Sequence, residues 1–245
     1  MNPADTFRAL HHDRPPGDPL VLPGPWDAVS ARVFAEAGFP ALSTPSAGIA
    51  ASLGYADGET PAGEMFAAVA RIVRAVDVPV SADLENGYGL APRELVERLL
   101  ETGAVGCNLE DSDAGVLLDP HRHADRIAEV RAAAGDRLFV NARVDSFAHG
   151  DGDPERAVER AVERAALYVA AGADCVYPIG APADVLPILR AQVPGPLNAF
   201  ARLDGESPSP RELGALGATR VTFGPWLQRR AAAHLGELAA RLRQG

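Results

Sequence analysis

The chain has 245 residues, 47% hydrophobic and 23% charged, which suits one well-cored domain and rules out a disordered polypeptide. Its net charge of −10 argues against nucleic acid or an anionic membrane surface as partner, and its apolar runs are too short to cross a bilayer. All 23 basic residues are arginine, whereas a Schiff base needs a lysine amine that can lose its proton, so Schiff-base aldolase, pyridoxal and Walker-type nucleotide chemistry are excluded.

The start, Met1-Asn2-Pro3-Ala4-Asp5, lacks a basic region followed by an apolar one and reads as no signal peptide. Residues 1–19 form an N-terminal segment in which 12–19 is a loop. From there, strand-like runs lie at 20–22, 41–44, 78–83, 105–110, 138–143, 175–178, 196–200 and 220–223. Amphipathic helical stretches alternate with them near 27–38, 60–75, 92–102, 121–134, 154–171, 182–192, 209–216 and 226–243. Pro, Asp or Ser opens several of these helices, and Gly38, Gly103, Gly172 and Gly217 each stand in the short turn before a strand. Such alternation implies a parallel sheet, and eight units in 245 residues fit closure into a barrel. The expected fold is therefore α/β, a single (β/α)8 TIM barrel over 1–245 whose last helix spans 226–243. Cys107 and Cys175 sit inside strand runs and read as buried thiols, consistent with a cytoplasmic protein.

In such a barrel, working groups come from the C-terminal ends of strands. Period-two alternation puts Ser81, Asp83 and Glu85 on one face of the third strand, Asn108 and Glu110 together on the fourth, and Asn141 and Arg143 together on the fifth. Clustered carboxylates repel one another and persist where a cation offsets them. An all-oxygen set without strand-end histidine favours Mg2+, or Mn2+, over Zn2+. Asp111 and Asp145 read as helix caps or partners of surface arginines. His121 and His123, two apart on a helix, diverge and read as solvated. His149 lies in a Gly/Asp-rich loop that approaches the mouth, while His11, His12 and His234 read as surface groups. Without a Gly-x-Ser-x-Gly elbow or a Cys–His pair, nucleophilic catalysis has no support.

Four stretches together resemble the phosphoenolpyruvate mutase/isocitrate lyase superfamily. They are Ser46-Ala47-Gly48 through Gly58-Glu59, Ala82-Asp83-Leu84-Glu85-Asn86-Gly87-Tyr88-Gly89, Asn108-Leu109-Glu110-Asp111, and Asn141-Ala142-Arg143-Val144-Asp145-Ser146-Phe147. The resemblance implies a Mg2+-dependent barrel, usually a homotetramer, that makes or breaks a C–C or P–C bond next to a 2-oxo or enol carboxylate. It implies Asp83 as direct metal ligand, with Glu85, Glu110 and Asp57 holding the metal's waters. It implies Arg143 as the clasp of the substrate carboxylate, and backbone amides near Ser46, Ala47 and Gly48 as an oxyanion site. Asn108 and Asn198 complete the expected substrate contacts, with Ser46, Asp57 and Arg143 as the catalytic set.

One departure bears on the reaction. The lyase branch carries a Lys-Lys-Cys-Gly-His loop after the fourth strand, and here 112–119 contains no Lys, Cys or His. Isocitrate cleavage is therefore not expected, because its departing carbanion needs a proton donor. Decarboxylation of an oxaloacetate-like acid makes the least demand on that donor. The alternative from another class is a catalytically weak barrel that binds 2-oxo acids as a sensor or accessory protein.

Overall fold

The computed structural model describes all residues except 1, 2, 13, 16, 151 and 245. Eight short runs rich in Val, Leu and Ala form parallel strands: β1 (Leu20–Leu22), β2 (Leu42–Ser43), β3 (Val80–Asp83), β4 (Gly106–Glu110), β5 (Phe139–Val144), β6 (Cys175–Pro178), β7 (Asn198–Phe200) and β8 (Arg220–Thr222). Strands β2-β3-β4-β5-β6 pair in that order, and β1-β8-β7 form a second parallel set. The two sets meet at a bridge between Val176 and Leu197, and at a hydrogen bond of 3.1 Å from the Ser43 amide to the Pro23 carbonyl. The sheet thus curls back on itself as a TIM-barrel-like fold, in the order the alternation implies.

The helices are α1 (Pro3–His12), α2 (Ala28–Glu36), α3 (Ser46–Leu53), α4 (Ala62–Val73), α5 (Pro92–Thr102), α6 (Pro120–Ala134), α7 (Pro154–Ala170), α8 (Leu186–Gln192), α9 (Pro210–Ala215) and α10 (Trp226–Gln244). Their starts follow from capping chemistry. Asp27 and Ser30 form a reciprocal capping box on α2, Ser209 and Glu212 do the same on α9, and Asp119 accepts the His121 and Arg122 amides at the start of α6. Apolar faces of these helices pack on the outside of the sheet, where Leu42, Val69, Leu95, Ile127, Val140 and Tyr168 belong to one continuous buried cluster. None of the helices described is long and apolar enough to cross a membrane.

The N-terminal segment holds the first correction. Residues 3–12 are a helix, of which Ala4, Phe7 and His11 are buried; of the expected 12–19 loop, residues 13 and 16 lie outside the described residues. The Phe7 ring meets Phe139 edge-on at 5.2 Å, and the His11 ring stacks on Phe139 at 4.1 Å. A second cluster with Leu20, Leu22, Val105 and Cys175 forms around them, so α1 packs against the residues that begin the strands. Arg8 fixes it by an ion pair with Asp174 at 3.1 Å. His11, expected on the surface, is 3% exposed, and His123, expected in solvent, is 2% exposed and meets Tyr168 edge-on at 4.9 Å. The divergence of His121 from His123 is what buries the latter, since a position two residues on in a helix lies on nearly the opposite face.

Both buried imidazoles are held neutral. Burial, reinforced by neighbouring arginines, lowers His11 from the ordinary 6.5 to about 3 and His123 to about 4. Below pH 6.5 the unfolded chain takes up protons that the folded one refuses. This contribution is complete above pH 6.5 and is lost as pH falls toward 3. Replacing His11 by Gln is expected to remove a pH dependence of up to about 1.4 kcal/mol per pH unit between roughly pH 6 and 4. Urea midpoints of the two proteins at pH 7 and 5 measure it; parallel shifts would refute it.

Candidate active site

At the C-terminal ends of the strands lies a cavity of about 940 Å3, lined by residues of β3, β4, β5 and β6 and of the loops that follow them. Among the described residues its wall carries six carboxylates, Asp57, Glu59, Asp83, Glu85, Glu110 and Asp113, against two arginines, Arg126 and Arg143.

Asp83 ends β3. Its Oδ2 accepts from the Ser46 hydroxyl at 2.9 Å and the Ser46 amide at 3.3 Å, while its own amide donates to Thr44 Oγ1 at 3.2 Å. Its Oδ1 is buried with no hydrogen-bond partner. Glu85 reaches the cavity by a route that alternation does not supply. The strand stops at Asp83, and Glu85 (φ 51°) and Tyr88 (φ 56°) turn through the left-handed region. With Ala114 (φ 46°), these are the non-glycine residues of positive φ among those described, and all three line the cavity. Strain of this kind, of order 1–3 kcal/mol per residue, persists where surrounding structure imposes it.

Glu110 ends β4 and meets Arg143 Nη1 at 2.5 Å. Burial pushes its carboxyl up to about 8, aided by Asp83, Asp145 and Glu85 and opposed by Arg143. Burial likewise raises Glu85 to about 7, with Asp83 and Asp57 adding to it. Asp57 stands exposed on the rim, and Asp83 contributes to raising it too, after desolvation. Burial and neighbouring carboxylates oppose the charged forms of Asp57, Glu85 and Glu110, and a further cation among them would relieve both effects. Their donors are all oxygens and Asp83 Oδ1 is unpartnered, so the residues fit a hard divalent ion. Among the described residues, no three acidic, His or Cys side chains converge closely enough to enclose an ion unaided. Water would then complete the coordination, which is the habit of Mg2+.

Beneath the cavity a buried network fixes Arg143. Asp145 receives Nε at 2.7 Å and Nη2 at 3.0 Å, and its Oδ2 also accepts from Ser112 Oγ at 2.6 Å. The Asp145 amide donates to Asp111 Oδ1 at 2.8 Å, and Asp111 Oδ2 accepts from Arg164 Nη1 at 2.8 Å and the Tyr168 hydroxyl at 2.7 Å. The sequence reads Asp111 and Asp145 as helix caps or partners of surface arginines, but both are 0% exposed and belong to this buried network. They anchor the Arg143 guanidinium, which meets Glu110.

Other expected contacts divide. Ser46, Ala47 and Asn108 line the cavity, and Asn108 Oδ1 accepts from Asn141 Nδ2 at 2.8 Å. Gly48 does not line it; a Cβ there would stand 2.8 Å from Pro45 Cγ, so this glycine serves the packing of α3. Asn198 is also outside the lining. It sits at the start of β7, away from the mouth, and donates to Thr222 Oγ1 at 3.2 Å, while Phe200, at the end of the same strand, faces the cavity. His149 lines the cavity. Arg126 and Tyr177 were not anticipated: one reaches in from the middle of α6, and the other lies in an apolar strand with no motif around it.

A family model described as phosphoenolpyruvate phosphomutase matches residues 7–243. The chain belongs to this family. It is 34% identical over 227 residues to an uncharacterized protein of Mycobacterium tuberculosis (strain CDC 1551), covering 89% of this chain and 81% of that one. It is 30% identical over 173 residues to the 2-methylisocitrate lyase of Bacillus subtilis, covering 66% of this chain and 55% of the lyase. Among solved structures, a candidate phosphonomutase from Burkholderia cenocepacia J2315 superimposes with a TM-score of 0.90 at 39% identity, over 98% of this chain and 100% of that one. Oxaloacetate acetylhydrolase in complex with oxalate gives 0.87 at 26% identity, over 99% and 87%.

Within this phosphomutase-family barrel, the loop after β4 is a small antiparallel hairpin, Ser112–Asp113 against Val116–Leu117. Ser112 ties it to Asp145, and Asn86 Nδ2 donates to Asp113 Oδ1 at 2.8 Å. Because Asp111 compensates the buried Arg164 guanidinium beside this hairpin, Asp111→Asn is expected to destabilise the fold by about 3–5 kcal/mol. The exposed cap change Asp119→Ala should cost only about 1 kcal/mol. Urea unfolding of both variants checks the contrast, and equal small losses would show the network to be dispensable.

Proposed function

We propose that this chain is a Mg2+-dependent lyase that breaks a C–C bond next to a 2-oxo carboxylate, with decarboxylation of an oxaloacetate-like acid as its reaction. The observation that carries the proposal is the unpartnered Asp83 Oδ1 among Glu85 and Glu110, opposite an arginine held by its far edge. In this reading Asp83 holds the metal directly, while Glu85, Glu110 and Asp57 hold its waters. Mg2+, or Mn2+ in its place, would supply Lewis-acid stabilisation of the enolate oxygen. The kinship with a 2-methylisocitrate lyase and the likeness to an oxaloacetate acetylhydrolase agree with a small 2-oxo or hydroxy acid as substrate.

The protein's own part follows from Arg143. Asp145 occupies the Nε–Nη2 edge, so Nη1 is the nitrogen turned to the cavity, and its partner there is Glu110. A substrate carboxylate displaces Glu110 from Nη1 and takes a charge-assisted hydrogen bond from it. Ser46, whose amide opens α3 beside Asp83, orients the second oxygen together with Ala47. Departing CO2 needs no proton, which suits a hairpin without Lys, Cys or His. Leu235, Leu238 and Leu242 stand 64%, 40% and 76% exposed along α10, at spacings that share one helical face, and this supports assembly with further copies of the chain, as a homotetramer in this reading.

Two measurements test the site and one the reaction. Asp83→Ala is expected to abolish Mg2+-dependent oxalate binding in calorimetry without shifting the urea midpoint downward. Arg143→Lys cannot bond Asp145 and a ligand at once, and should weaken oxalate by about 2 kcal/mol or more. Coupled assays should detect Mg2+-dependent pyruvate release from oxaloacetate above the metal-only rate, and no glyoxylate from isocitrate. Oxalate binding without turnover of either acid would instead support a 2-oxo-acid sensor.

A further inference from the structure

After β5 the chain turns back on itself. The Ala148 and His149 amides both donate to the Asp145 carbonyl, at 3.0 and 2.8 Å, and this returns the His149 imidazole to the side chain of Asp145. His149 Nε2 lies 4.0 Å from Asp145 Oδ2, and the imidazole is 34% exposed. Its Nδ1 side is turned toward the tip of the hairpin, where it faces Gly115, a residue with no side chain to cover it: a Cβ there would stand 3.7 Å away. Both residues line the cavity, and His149 is the one imidazole among the described residues that does. At 4.0 Å the carboxylate is beyond hydrogen-bond reach, yet its charge favours the tautomer that carries the proton on Nε2. Nδ1 is then left as a basic nitrogen open to the cavity.

Of the other proton carriers on the wall, Asp113, on the hairpin, accepts from Asn86, and Glu59 stands exposed at the rim. Asp83, Glu85, Glu110 and Asp57 belong to the metal in the lyase reading. Arg143 does not give up its proton at any working pH. Burial pushes the Tyr177 hydroxyl up to about 12 and Tyr88 up as well.

We propose that His149 is the catalytic acid and base at the substrate carbon, an inference that rests on the lyase reading of the same cavity. When the C–C bond breaks, its electron pair stays on C3 and delocalises into the C2 oxygen as an enolate. The protonated imidazole then gives the Nδ1 proton to C3. The N–H bond breaks, the C3–H bond forms from the enolate π pair, and C2–O returns to a carbonyl. The net change is oxaloacetate plus one proton to CO2 and pyruvate. In reverse, neutral Nδ1 removes a C3 proton from pyruvate itself.

That reverse half-reaction gives a test independent of the physiological substrate. Pyruvate is incubated with the full chain and Mg2+ in D2O, and loss of its methyl protons is followed by NMR. Exchange with the wild type is expected at least about 100-fold above Mg2+ alone, and His149→Asn should lose about 100-fold or more of it. Oxalate affinity with Mg2+ should stay within about twofold in the variant, as expected of an acid–base group whose loss does not disturb the site. Added imidazole should restore part of the exchange in His149→Ala. The proposal is overturned if His149→Asn exchanges as the wild type does. It is also overturned if the wild type turns over oxaloacetate without exchanging pyruvate, or if exchange and oxalate binding fall together. Failure of the lyase reading looks different: the wild type then shows no Mg2+-dependent oxalate binding at all.

Discussion

The mouth of this barrel crowds carboxylates around a single well-anchored guanidinium, and most of the surrounding structure answers that imbalance. Arg143 touches Glu110 and Asp145 at once, and Asp145 is itself held by Ser112 and by its amide on Asp111. Asp111 in turn depends on Arg164 and Tyr168 from α7. A chain of contacts therefore runs from an outer helix, through two buried aspartates, to the nitrogen that faces the cavity. Such a network is costly to leave half-satisfied, and this one pairs each carboxylate oxygen of Asp111 and Asp145. The acids above it are less fully compensated: Glu110 meets Arg143 Nη1 and Asp83 accepts from Ser46, yet burial and the neighbouring carboxylates still drive Glu85 and Glu110 upward. Rigid pairing below and deficit above make a place where a cation and an anionic ligand can enter together.

Much of this was legible in the residues because barrel geometry is periodic. The eight strands fall within or close to the predicted runs; Asp83 and Glu110 close their strands at the mouth, and Arg143 stands one residue before the end of its own. Legibility failed where position depends on something other than strand period. Glu85 reaches the cavity wall through a left-handed turn, not through the strand alternation that placed it there. Asn198 sits on a barrel strand but at its first residue, and depth along the axis separates a core asparagine from a mouth residue. Gly48 follows the right motif, yet its missing side chain makes room for Pro45.

Buried polar groups were the second blind spot. His11, His123, Asp111 and Asp145 were all assigned to solvent or to surface partners, and all four are buried. Polarity places a residue outside only when the interior offers no partner. Here the interior offers the Phe139 ring, the Tyr168 ring and the Arg164 guanidinium, each far away in sequence from the residue it meets, and only Asp145 has its arginine, Arg143, nearby. No local pattern announces a partner that lies dozens of residues off. Arg126 illustrates the converse: a mid-helix arginine that reads as a solvated face lines the cavity and donates to the Leu90 carbonyl at 3.1 Å.

A further buried charge lies along the barrel axis. Arg220 is 0% exposed; its Nη2 donates to Ser43 Oγ at 2.9 Å, and Nε and Nη1 have no partner. Burial lowers its pKa, and Cys175, Tyr177, Asp83 and Cys107 nearby oppose the shift. A buried, underpaired guanidinium is expensive on its own. Its hydrogen bond to Ser43 ties β8 to β2. Helix α1 contributes the remaining support, since the Arg220 guanidinium lies 5.9 Å from the centre of the Phe7 ring. The N-terminal helix, which no motif suggested, thereby covers a guanidinium buried on the barrel axis.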